Sequence, residues 1–206
     1  MTHLFRLIIL SVIILNSMTM SAKKSYIFYA DGVEETEAVV TVDALRRAGL
    51  DVVTVSVEPT TAVVGATSQT LVADSVINDI NPADAEWIIL PGGDPGASNL
   101  HNSAAVNQII MTQYEKGGKI AAICAAPAVI LAPLGILKGK TATGHPATAD
   151  ALKAAGVEYV KQKSVVDGNI VTSEGPGTTF DFAKAIIEQT YGPKKADEII
   201  SSLVVY

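Results

Sequence analysis

The chain is poor in the residues that most often carry chemistry. Its 206 residues include one cysteine, Cys124, and three histidines, His3, His101 and His145. A single cysteine cannot close an internal disulfide, and these histidines show none of the paired spacings that hold zinc, so no disulfide framework and no metal site are expected. Charge is also sparse: 17% of residues are Asp, Glu, Lys or Arg, the formal net charge is −6, and there is no basic run. Such a chain lacks the positive footprint needed to grip a phosphate backbone, so no nucleic-acid partner is expected. Long apolar runs are missing too. LIILSVIIL, at 7–15, is too short to span a bilayer comfortably, so no stable membrane anchor is expected.

What remains is 49% hydrophobic, enough over this length for one domain with a substantial core. Residues 1–22 stand apart. THLFR, LIILSVIIL and NSMTMSA read as the three regions of a signal peptide, which would make the protein exported. The other reading starts translation at Met18 or Met20, leaving an upstream extension and a cytoplasmic chain. Either way the expected domain is 23–206.

From Ser25 onward, short apolar runs alternate with amphipathic segments, the pattern of βα units winding a mostly parallel sheet flanked by helices. YIFYA (26–30), DVVTVSV (51–57), WIIL (87–90) and KIAAIC (119–124) read as strands. Val39, Val42, Leu45 and Ala48 fall at helical spacing between Glu34 and a C-capping Gly49. Residues 58–80 suggest a small β-hairpin excursion, and PGGDPGA a tight loop. Later segments read as a helix over 104–115, a helix after Cys124 with Pro127 in its first turn, and a strand leading to His145. TADALKAAG reads as a helix, SVVDGNIVTS as a hairpin turning at Asp167-Gly168, and helices follow over 178–192 and 193–202.

Cys124 lies where a strand gives way to a helix. A nucleophile at such an elbow needs small residues two before and two after it, and Ala122 and Ala126 meet that need. The helix start would aim free N–H groups at the sulfur and lower its pKa from about 8.5. Ligands of parallel sheets bind beyond the strands' carboxyl ends, which brings two further loops into consideration. One carries Glu34, Glu35 and Glu37; the other carries Gly92 and Gly93. Glu37 suits a partly buried proton donor facing the cysteine, whereas Glu34 and Glu35 suit solvated carboxylates at the helix N-terminus. Backbone N–H groups of Gly93 and Ala125 could form an oxyanion hole. His145, held extended by Pro146, could turn toward the elbow.

DGVEETEAVVTVDALRRAG, ILPGGDPGASNL, AAICAAPAVIL, ATGHPA and VTSEGPGTTFDFA together resemble the DJ-one branch of the ThiJ/PfpI superfamily, from about Ser25 to the C-terminus. The resemblance implies a flavodoxin-like, doubly wound α/β fold, a homodimer, and a cytoplasmic location. It also implies an elbow cysteine, Cys124, paired with a protonated glutamate, Glu37, with His145 nearby and oxyanion donors on Gly93 and Ala125. The activity implied is a glutathione-independent glyoxalase that needs no cofactor and takes a small α-oxoaldehyde such as methylglyoxal. Members are also described as deglycases or oxidative-stress sensors, and the alternative reading of this chain is a non-enzymatic oxidative-stress sensor or redox-regulated chaperone in which the same cysteine is oxidised. Two departures stand out: Glu174 replaces a frequent arginine before GPGT, and 58–80 lacks the cysteines often found there. Protease-like and chaperone-like relatives place histidine directly after the nucleophile, where this chain has Ala125.

Overall fold

Successive side chains of a strand leave opposite faces, so an unbroken apolar run requires cover on both. The computed structural model, which describes residues 23–205, shows that arrangement; the segment 1–22, read above as signal peptide or upstream extension, lies outside the described residues. Strand β1 (Lys24–Tyr29) sends Tyr26 and Phe28 into one apolar layer and Ile27 and Tyr29 into the other. Helix α1 (Glu35–Ala48) follows, closed by Gly49 at φ 99°, a left-handed conformation that glycine adopts without strain. Its Val42, Leu45 and Ala48 are buried, while Val39, expected on the same face, is 51% exposed.

Strand β2 (Asp51–Ser56) pairs parallel to β1. The excursion then appears as an antiparallel hairpin of β3 (Ala62–Val64) and β4 (Thr70–Val72), followed by β5 (Ser75–Val76) on the edge of the main sheet. Strand β6 (Trp87–Leu90) returns to the centre, sorting Ile88 and Leu90 from Trp87 and Ile89 as β1 does. After it come α2 (Gly96–Asn102), α3 (Ala104–Glu115) and β7 (Lys119–Ile123). The remainder is β8 (Thr141–Ala142), α4 (Ala149–Ala154), β9 (Glu158–Tyr159), β10 (Ser164–Asp167), β11 (Ile170–Ser173), α5 (Thr179–Tyr191) and α6 (Pro193–Ser202).

The main sheet has the order β10-β11-β7-β6-β1-β2-β5, parallel except for β10. Helices α1, α5 and α6 cover one face; α2, α3, the turn after β7 and α4 cover the other. This is the doubly wound, flavodoxin-like α/β fold. The chain first winds outward through β2 and β5, then returns beside β1 as β6. The order therefore switches between β1 and β6, which opens a crevice at their carboxyl ends.

Four local expectations need correction. Helix α2 was hidden inside a glycine- and proline-rich segment, yet Ala97 and Leu100 bury the face it needs. The turn after Cys124 is a five-residue π-helical segment, Pro127–Leu131. His145 is not carried by a strand: β8 ends at Ala142, pairs only with β9 in a separate two-stranded sheet, and leaves His145 to cap a short 3₁₀ turn. In the β10–β11 hairpin Asp167 still pairs with Ile170, so the turn is Gly168-Asn169; the Asp167 carboxylate accepts from the Thr141 N–H at 2.9 Å instead.

Candidate active site

Three loops meet at the switch-point crevice. The first leaves β1 as Asp31-Gly32 and starts α1. Glu34 caps that helix, its carboxylate accepting from the Glu37 N–H at 2.7 Å, and so places Glu37 in the first turn with its side chain turned inward. Glu37 has no exposed surface. One of its oxygens, Oε2, accepts from the Gly92 N–H at 2.7 Å, and the other, Oε1, is buried without a formed hydrogen bond. Burial pushes this carboxyl up to about 7, although the Gly92 N–H and the Cys124 thiol favour its charged form.

The second loop leaves β6 as Pro91-Gly92-Gly93. Gly92 is dictated by contact, because a methyl group there would come within 2.6 Å of the Cys124 Cβ. Gly93 sits at φ 103°, and its N–H favours a charged sulfur on Cys124. The third loop is the elbow. Cys124 has φ 64°, a strained value for a side chain other than glycine, and it is held there by two backbone bonds. Its N–H donates to Ser173 O at 3.0 Å, and its carbonyl accepts from the His145 N–H at 2.7 Å. Ala122 and Ala126, both fully buried, leave room for the bend.

The N–H groups of Ala125 and Gly93 and the Glu37 carboxyl stand close enough to the sulfur to act on its charge, although none forms a hydrogen bond to it. The lowered thiol pKa expected from the helix start is not what results. Burial first, then the neighbouring Glu37 carboxylate, push the Cys124 thiol up to about 12 against the pull of the Ala125 and Gly93 N–H groups. Burial raises both members of the pair; the charge of Glu34 adds to the rise of Glu37, and the Glu37 carboxylate adds to that of Cys124. With the carboxyl at about 7 and the thiol at about 12, the pair gives up its first proton near neutrality and keeps the second.

A model of the DJ-1/PfpI family matches residues 23–189. The chain belongs to the DJ-1/PfpI family. Among its relatives, protein DJ-1 homolog A of Arabidopsis thaliana is 42% identical over 85% of this chain, which spans 45% of that longer protein. A Caenorhabditis elegans relative named glutathione-independent glyoxalase DJR-1.2 is 36% identical, with 89% of this chain and 98% of that protein aligned. The solved structure of oxidized Toxoplasma gondii DJ-1 superposes with a TM-score of 0.84 at 37% identity, covering 89% of this chain and 98% of that one.

Within this DJ-1/PfpI chain the structure brings Cys124, Glu37, Gly93 and Ala125 together. It keeps the His145 imidazole at the mouth: the residue is exposed, its Nδ1 accepts from the Ala147 N–H at 3.3 Å, and it makes no hydrogen bond to the sulfur. Glu35 is not a solvated carboxylate. It is 7% exposed and its Oε1 accepts from the Thr67 N–H and hydroxyl, both at 2.8 Å. Glu174 is partly buried, with Oε1 shielded and without a hydrogen-bond partner. From the sequence, Gly92 is a loop residue without an assigned role, and Gly175 is not singled out. Gly92 binds Glu37 through its N–H, and Gly175 forms the wall opposite the sulfur. The signal for Gly175 was available, since SEGPG is another loop at the carboxyl end of a central strand.

Proposed function

We propose that this protein is a glutathione-independent glyoxalase that converts methylglyoxal or glyoxal to the corresponding hydroxy acid. One observation carries the reading: the fully buried Glu37 accepts at 2.7 Å from the N–H of Gly92, the residue that backs directly against the Cys124 Cβ, which sets a carboxyl group beside the elbow cysteine. With the shared proton on Glu37, the thiolate adds to the aldehyde carbon, and the resulting oxyanion lies against the N–H groups of Gly93 and Ala125 until Glu37 protonates it. The Glu37 carboxylate then removes the hydrogen from that carbon and returns it to the adjacent one through an enediol, with His145 assisting from the mouth. This leaves a thioester of the hydroxy acid on Cys124. Water cleaves it, releasing lactate from methylglyoxal and restoring the thiol. The net reaction is the addition of one water, with no external oxidant or reductant.

The name of the C. elegans relative and the shared family support this substrate class. A second reading, a sensor, is favoured by the same arrangement: two equivalents of peroxide would turn Cys124 into a sulfinate whose oxygens the same three donors could hold. Incubating purified protein with methylglyoxal and no glutathione, and measuring lactate, distinguishes the two. Formation of lactate by wild type and its loss in Cys124→Ala, with unchanged melting, is the expected result. An inert wild type that gains two oxygens on Cys124 in mild peroxide would replace the enzyme with the sensor.

The homodimer implied by the resemblance belongs to the same proposal. Val39, Val64 and Val72 are exposed along α1 and the β3–β4 hairpin, beside a groove of about 600 Å³ that lies away from the cysteine. Asp43, Arg46, Arg47 and Asp74 line it with both signs of charge, which suits contact with a second copy of the same face.

A further inference from the structure

The wall facing the Cys124 sulfur is bare backbone. Gly175 lies two residues beyond β11, and a methyl group on its Cα would sit 3.8 Å from the sulfur and 3.7 Å from Cδ2 of His145. Those are ordinary contact distances, so a side chain there would fill the gap between nucleophile and imidazole without forcing either to move. Conformation does not demand glycine, because φ 160° and ψ −165° are extended values open to other residues. The groups expected to bind the reacting carbon and oxygen lie on other sides of the sulfur. Gly92 backs against the Cys124 Cβ, and the N–H groups of Gly93 and Ala125 and the Glu37 carboxyl face the sulfur.

A carbon chain bonded to that sulfur therefore leaves along Gly175. We propose that Gly175 is the size-selecting residue of the site, its missing side chain leaving room for the substituent of a short, unbranched α-oxoaldehyde. The assignment of an aldehyde rests on the glyoxalase reading above; the steric role does not. One methylene in a closely fitted pocket is worth about 10- to 200-fold in discrimination, so a single added methyl should be measurable.

The test uses full-length Gly175→Ala and Gly175→Val proteins, with alkylation of Cys124 by iodoacetamide and by the bulkier N-ethylmaleimide followed as intact mass. Gly175→Ala should lower the maleimide rate relative to the iodoacetamide rate by about tenfold, and valine by more. In parallel, kcat/KM for methylglyoxal should fall relative to that for glyoxal. An alkylation ratio within about twofold of wild type in the alanine variant overturns the assignment, whatever the valine variant does. If wild type consumes no methylglyoxal, the glyoxalase reading fails, while the alkylation ratio still decides the role of Gly175.

Discussion

Glu37 carries a cost that can be read in stability as well as in rate. Its carboxyl ionises near 4.5 in the unfolded chain but at about 7 when buried beside Cys124. Below the lower value both states are protonated and nothing is lost. Between the two the unfolded state releases its proton and the folded state does not, so stability falls as pH rises and levels off above about 7. The full loss is on the order of 3 kcal/mol. Glu37→Gln should flatten that slope in denaturant titrations run from pH 4 to 8 and make the protein more stable at the alkaline end. The catalytic dependence has the opposite sign. In the proposed reaction the pair reacts with one shared proton, so kcat/KM for methylglyoxal should rise with pH through about 7 and then plateau, as the pair loses its first proton. His145→Ala should keep the elbow intact, because its tie to Cys124 is made by backbone, and lower kcat by about 10- to 100-fold.

Elements were easiest to read where the apolar period was regular. The central strands, α1 with its Gly49 cap, α3 and α6 follow directly from spacing and capping residues. The elbow was legible for the same reason, since Ala122, Cys124 and Ala126 declare a tight bend in a short string. Long-range pairing was not legible. Nothing near Glu35 in the chain announces that its carboxylate reaches across to Thr67, or that Asp31 accepts from the Val64 N–H at 2.8 Å. These bonds, with the Ala66 N–H to Val33 carbonyl bond, clip the β3–β4 hairpin onto the loop that supplies Glu37. Glu35→Ala removes the acceptor shared by the exposed Thr67 and Gln69 and should destabilise the protein by about 1 kcal/mol. Hydrogen exchange should then rise first in residues 65–69, which would locate the effect in the hairpin tip. The raised thiol pKa was hidden in the same way, because it depends on burial by several segments and on a carboxylate from another loop.

For the molecule as a whole, the topology accounts for where the chemistry gathers. The reversal of strand order between β1 and β6 sets the Glu37 loop beside the Gly92-Gly93 loop, and β7 delivers Cys124 alongside. The proposed dimer face lies apart from that crevice, but the hairpin that contributes to it is clipped to the Glu37 loop. Val72→Asp, at a side chain 74% exposed, should leave the fold unchanged and shift the protein from dimer to monomer in sedimentation velocity. A dimer that persists would move the interface elsewhere. The central claim concerns the proton shared by Cys124 and Glu37, and it is tested most directly by lactate formation from methylglyoxal without glutathione, measured for wild type beside Glu37→Gln. The account predicts steady turnover by wild type and none above background in a folded Glu37→Gln protein that still carries its cysteine. Equal rates in the two proteins would contradict it.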